Sequence, residues 1–179
     1  RIARNYFRLT VDPRMNIFHE DGRMFINRED PKLYDAVLMD AFGSLFSVPA
    51  HLTTLEAVTN IHRILRDDGV VIFNLGSAIT GKGNRFLNAE LQTYREVFPH
   101  VLLFKVVSNY PDDRLQNLII VALKSPTTFA PTSDDPVIDS LLTHRYIPQT
   151  DNPELVLTDD LAPVEYYNSF AQNFYLQQR

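Results

Sequence analysis

The residues of this sequence best placed for chemistry are three carboxylates and a phenol: Asp21, Asp40, Glu56 and Tyr110. Asp40 closes the run Tyr34-Asp35-Ala36-Val37-Leu38-Met39, whose interior is apolar without alternation, as in a strand covered on both faces. Ligands of an open α/β sheet bind outside the carboxyl ends of its strands, so a carboxylate there points at whatever is bound. The same position also suits a strand cap or the start of a turn. Asp21 precedes Gly22 at the end of another short apolar stretch, Glu56 opens the helix after the Asp40 strand, and Tyr110 sits between two later strands. Each has a plainer role within reach: a turn for Asp21, a cap for Glu56, hairpin packing for Tyr110.

Other constellations carry less. No two of His19, His51, His62, His100 and His144 stand at helical metal-ligand spacing, and the chain has no cysteine, so a zinc site would need an unusual carboxylate set and no metal is expected. Ser44 and Ser47 precede His51 without a Gly-x-Ser-x-Gly elbow, which argues against a hydrolase triad. Gly81-x-Gly83 lacks the rest of a dinucleotide fingerprint and reads as a mobile loop.

The elements that must position these residues follow from periodicity. At 179 residues and 45% apolar content the chain can bury a sizeable core. A net charge of −5 without a Lys/Arg cluster argues against nucleic acid or a membrane surface and favours cationic or neutral small molecules. No apolar run approaches the roughly 20 residues that cross a bilayer, and the absence of cysteine suits a reducing compartment. The expected location is the cytoplasm, or a cytoplasmic domain of a membrane-anchored protein.

A helix is expected over Arg1 to Leu9, with Ile2, Tyr6 and Leu9 on one face, then a strand at Met15 to Phe18 and a short helix from Arg23 to about Arg28. Thr53-x-x-Glu56 reads as a capping box for a helix from about Thr54 to Leu65, with Asp67-Asp68-Gly69 as its stop. A buried strand follows at Val70 to Phe73, ending at Asn74, and Gly76, Gly81 and Gly83 make a loop. Leu87, Leu91, Tyr94 and Phe98 form the apolar stripe of a helix from about Asn84 to Val97. The connection between strands at Val101 to Val107 and Leu118 to Leu123 is too short for a crossover helix, so that pair must be antiparallel. This order specifies an α/β fold with a mostly parallel sheet and an antiparallel C-terminal hairpin. Pro126, Pro131 and Pro136 then mark a connection and a helical tail, with a helix at Val137 to Thr143, packed on the same domain. The chain thus divides at 1–125 and 126–179.

In order, Asp12-Pro13-Arg14, His19-Glu20-Asp21-Gly22-Arg23, Tyr34-Asp35-Ala36-Val37-Leu38-Met39-Asp40, Leu65-Arg66-Asp67-Asp68-Gly69-Val70 and Ser108-Asn109-Tyr110-Pro111 resemble the spermidine synthase (polyamine aminopropyltransferase) family. The resemblance covers residues 1 to about 124, and Leu157 to Glu165 is similar to the tail of bacterial spermidine synthase-like proteins. Each motif alone is weak; five in register are strong. The resemblance implies a class I S-adenosylmethionine-dependent methyltransferase-like (Rossmann-like) fold. It also implies a transferase of polyamine biosynthesis that moves an aminopropyl group from decarboxylated S-adenosylmethionine to an amine or polyamine, as a homodimer and without metal.

Residue by residue, the resemblance implies that Asp40 holds and deprotonates the attacking amine. Asp21, with Gly22 beside it, is the cofactor contact, reaching the adenine amino group. Tyr110 lines the polyamine channel and bonds to Asp40 or the amine, and Glu56 is a further substrate contact. Methyl transfer from S-adenosylmethionine, or a non-catalytic role as a nucleoside-binding or dimerisation homologue, are the alternatives.

The sequence departs from the family pattern in two places. Spermidine synthases place a second aspartate three residues after the catalytic one, where this chain has Gly43 in the apolar wall Ala41-Phe42-Gly43-Ser44-Leu45-Phe46, so putrescine is a doubtful acceptor. The glycine-rich loop and the ribose-binding acid of the family lie on strands upstream of the helix that opens this chain. The expectation is therefore of the C-terminal part of a longer protein, which by itself would bind nucleoside poorly.

Overall fold

The computed structural model describes residues 2–10, 12–43, 47–127, 131–148 and 155–176. Two short helices, α1 (Ile2–Tyr6) and α2 (Gly22–Arg28), precede β1 (Tyr34–Met39). Then follow α3 (Leu55–Ile64), β2 (Leu65–Ser77), α4 (Arg85–Arg95), β3 (His100–Lys105), β4 (Gln116–Leu123), α5 (Pro136–Leu142), β5 (Arg145–Tyr146) and α6 (Val164–Leu176). The sheet runs in the order β1-β2-β4-β3-β5. β1 and β2 are parallel, and β4 is antiparallel to both β2 and β3, so β1, β2 and β3 all point the same way. The expected hairpin is present, with Leu103 opposite Ile120, and it joins the sheet through β4 rather than β3.

One face of the sheet carries the core. Val71, Phe73 and Leu75 of β2 and Leu118, Ile120 and Ala122 of β4 are buried with Val58 and Ile61 of α3 and Phe86, Leu87 and Tyr94 of α4. The Phe73 and Tyr94 rings stack at 5.9 Å, and the helical stripe Leu87, Leu91, Tyr94, Phe98 is buried as its spacing requires. The opposite face is open: Leu38 is 72% exposed and its register partner Ile72 is 38% exposed. The apolar run of β1 had implied cover on both faces. Among the described residues no helix buries Leu38 and Ile72 on that face, and β1 pairs only with β2, at the edge of the sheet.

The expected strand at Met15 to Phe18 does not form; these residues are extended coil with Met15, Ile17 and Phe18 exposed. No described strand lies beside them, and backbone groups without a ladder partner stay with water. The face shared by Ile2 and Tyr6 on α1 is likewise exposed.

Local chemistry also shifts two boundaries. Thr54, not Thr53, caps α3: its Oγ1 accepts from Ala57 N, whereas Thr53 Oγ1 donates to Ala50 O at 2.7 Å. The helix stops at Ile64, four residues after Asn60 and before the Asp67-Asp68-Gly69 signal, because Lys124 Nζ donates to the carbonyls of His62 and Leu65 and β2 starts at once. Gly69 closes a bulge of β2, where the register with β1 jumps from Tyr34–Leu65 to Ala36–Val70; a Cβ there would meet Leu65 Cβ and Arg66 O at 3.0 Å, so Gly69 serves the tight fold-back of the chain. β2 also continues through Gly76 to Ser77, beyond its expected end at Asn74.

Residues 155–161 close over the helical side of the fold. Leu157 is fully buried, accepts from Leu55 N and is anchored through Leu157 N to Thr93 Oγ1.

Candidate active site

The parallel register pairs Met39 with Phe73, so the next residues, Asp40 and Asn74, come level on neighbouring strands. Asn74 Nδ2 donates to Asp40 Oδ1 across 2.9 Å. Asp40 is exposed, and its Oδ2 has no described hydrogen-bond partner. The Asn74 Oδ1 atom is buried and makes no hydrogen bond. The result is a carboxylate oriented by one strand neighbour and open on its other oxygen, an arrangement able to attract a cation or accept a proton.

Tyr110 lies in the turn from β3 to β4, and because β1 and β3 point the same way this turn is at the Asp40 end of the sheet. The strands of Asp40 and Tyr110 are separated by β2 and β4, roughly 14 Å at ordinary strand spacing. No hydrogen bond joins Tyr110 to Asp40; the Tyr110 carbonyl instead accepts from Lys105 Nζ at 2.6 Å, which also donates to Asp112 Oδ1.

Asp21 is the N-cap of α2, and its Oδ1 accepts from the backbone N–H groups of Arg23 and Met24. The Met24 N–H holds the carboxyl below the usual carboxylate range, with the His51 charge adding to the effect, so Asp21 is an anion at neutral pH. Its Oδ2 lies 3.0 Å from His51 Nε2, and both side chains are about half exposed. A Cβ at Gly22 would lie 3.7 Å from Leu52, and Gly22 lines an apolar cleft of about 390 Å³ with Phe18, Phe25, Ile26, Tyr34, Val37 and Ile64. That cleft does not reach Asp40.

Glu56 is not part of a capping box. Its Oε2 accepts from Asp159 N at 3.0 Å, and the Asp159 carboxylate accepts from Thr54 Oγ1 at 2.6 Å and from Arg23 at 3.0 Å. Arg23, whose side chain is only 13% exposed, also donates to His51 O and Thr54 Oγ1. Through this clamp the 155–161 segment ties the start of α2, which carries Asp21, to the start of α3, and the Glu56 carboxylate is spent on the clamp.

For a nucleoside co-substrate the fit is one-ended. The Asp21 and His51 side chains offer a half-exposed acceptor and donor suited to a base edge, while the described residues include no glycine-rich strand-to-helix turn to hold an amino-acid end. No group of three or more His, Asp or Glu able to hold a metal occurs among the described residues. No described helix is long and apolar enough to cross a membrane. The Ser44-Leu45-Phe46 portion of the expected apolar wall lies outside the described residues.

Two residues of this site escaped the sequence reading. The sequence marks Asn74 as a strand end, and a lone amide closing an apolar strand is the signal that pairs it with Asp40. Neither metal-ligand spacing nor a serine triad picks out His51, and nothing local announces its contact with Asp21.

No protein-family model matches the chain. An N-terminal histidine N-methyltransferase of Emericella nidulans is 31% identical over 137 residues, 71% of this chain and 23% of that protein. A polyamine aminopropyltransferase of Clostridium beijerinckii is 28% identical over 115 residues, 62% of this chain and 40% of that protein. A probable spermidine synthase of Corynebacterium glutamicum superposes on 95% of this chain and 56% of its own, with 25% identity and a TM-score of 0.63. Human methyltransferase-like protein 13, solved with SAH, shares the fold at 19% identity and a TM-score of 0.57, covering 79% of this chain and 64% of its own. The chain therefore spans less than half of the two curated relatives.

Proposed function

Because this chain is spermidine synthase-like in sequence and carries a class I S-adenosylmethionine-dependent methyltransferase-like fold, we propose that its protein transfers an alkyl group from a sulfonium nucleoside to an amine. The first reading is aminopropyl transfer from decarboxylated S-adenosylmethionine to a small amine or polyamine, in a homodimer. A sulfonium nucleoside supplies an electrophilic carbon; the chain must supply a neutral amine nitrogen aimed at it.

Asp40 carries this reading. Asn74 holds its Oδ1, so Oδ2 is left to receive an ammonium, first as a charge partner and then as the acceptor of its proton. Once the proton moves to Oδ2, the nitrogen lone pair is free to attack the sulfonium-bound carbon, whose C–S bond breaks with its electron pair going to sulfur, leaving a neutral thioether nucleoside. Tyr110, across the same end of the sheet, lines the far side of the amine's path, and Asp21 holds the base. With Gly43 in place of a second carboxylate, the far end of a diamine has no anionic anchor, which favours a monoamine or a less charged acceptor.

The second reading is methyl transfer from S-adenosylmethionine, favoured by the similarity to the histidine N-methyltransferase. Full-length protein incubated separately with each donor and a panel of mono-, di- and polyamines, with products weighed by mass spectrometry, decides between them. A gain of an aminopropyl mass supports the first reading and a methyl mass the second. A strong selective preference for putrescine would overturn the Gly43 argument, and no transfer with either donor would leave the non-catalytic homologue.

A further inference from the structure

We propose that His51 is a second base-reading residue, working with Asp21 on the edge of the nucleoside's adenine. The inference rests on the nucleoside reading above. A carboxylate accepts and never donates, so the 3.0 Å approach of His51 Nε2 to Asp21 Oδ2 requires the proton on Nε2. The pair thus presents an acceptor beside a donor. Adenine offers the complement: an exocyclic amine beside an unprotonated ring nitrogen, N6 beside N1. Asp21 Oδ2 takes the N6 hydrogen, and His51 Nε2–H turns from the carboxylate to N1.

Four features support this. The Arg23 and Met24 N–H groups bind Asp21 Oδ1, so Oδ2, turned toward His51, is the carboxylate oxygen that α2 does not occupy. Both side chains are about half exposed, so their mutual contact excludes no ligand. Their spacing is held from behind: Arg23 donates to the His51 carbonyl, and Asp159 of the 155–161 segment fixes Arg23. Gly22, the next residue after Asp21, borders the apolar cleft, so a flat ring at the pair has apolar surface one residue away.

The test compares binding of adenosine and 1-deazaadenosine, which lacks the N1 acceptor, to full-length wild-type protein and to His51→Ala and His51→Gln, by calorimetric titration. Wild type should prefer adenosine by about five- to tenfold, the worth of one hydrogen bond. His51→Ala should lose that preference, while still favouring adenosine over purine riboside, which lacks the amine read by Asp21. His51→Gln, which keeps an N–H donor, should recover part of it. Folding is not at stake, and circular dichroism should be unchanged in both variants. If wild type binds adenosine but shows no preference, or His51→Ala keeps it, the role of His51 is overturned and the nucleoside reading stands. If wild type binds neither nucleoside, the nucleoside reading falls and this inference with it.

Discussion

Asn74 Nδ2 donates to Asp40 Oδ1 across 2.9 Å, between the ends of two parallel strands in register. The bond gives the Asp40 carboxylate a defined orientation and leaves its Oδ2 atom without a hydrogen-bond partner among the described residues. Asn74→Ala should therefore lower the turnover of amine transfer by about tenfold, the effect of one charge-assisted hydrogen bond. Nucleoside affinity should hold and the melting temperature move little, since Asp40 is at the surface. Steady-state kinetics check this; unchanged turnover would mean that Asp40 needs no orientation.

The cap of α3 makes a second case. Thr54 Oγ1 accepts from Ala57 N and from Arg23 and donates to Asp159. Thr54→Ala should cost about 1–2 kcal/mol, and Thr54→Ser should restore most of it. For a chain of this size that is a fall of about 2–8 °C in melting temperature. Equal melting of the Ala and Ser variants would show that the hydroxyl does not cap.

Glu90 sets a pH dependence. It is fully buried in α4, and neither carboxyl oxygen makes a well-formed hydrogen bond to a described residue. Burial pushes its pKa well above the ordinary 4.5, and the Thr53 hydroxyl, already donated to Ala50 O, offsets little of that. Between 4.5 and the raised value the unfolded chain releases this proton and the folded chain keeps it, so stability is full below 4.5 and falls as pH rises through that window. Glu90→Gln should remove the slope, and its advantage in melting temperature over wild type should grow from pH 4.5 to 8. A difference that is constant with pH would contradict a neutral Glu90.

The parts legible in the sequence were those set by local pattern. The stripe of α4, the β3–β4 hairpin and the short helix after Asp21 follow from spacing and turn chemistry, and all are present. What failed depended on distant partners. Met15 to Phe18 has a strand's composition but no strand beside it among the described residues, and Leu38 belongs to a run that reads as buried yet is exposed. The Thr53-x-x-Glu56 spacing fitted a capping box, but Asp159, more than a hundred residues away, claims the Glu56 carboxylate. The same long-range clamp brings His51 to Asp21, and no window of local sequence contains it.

The central claim is that Asp40 takes the proton from the attacking amine. Single-turnover transfer by full-length Asp40→Asn, measured beside its nucleoside affinity and melting temperature, tests it most directly. The amide cannot accept the proton or attract the ammonium, so transfer should fall by about 10²-fold or more. Affinity should hold and stability should change by less than about 1 kcal/mol. Intact transfer with a large fall in melting temperature would contradict the account and make Asp40 a strand-end cap.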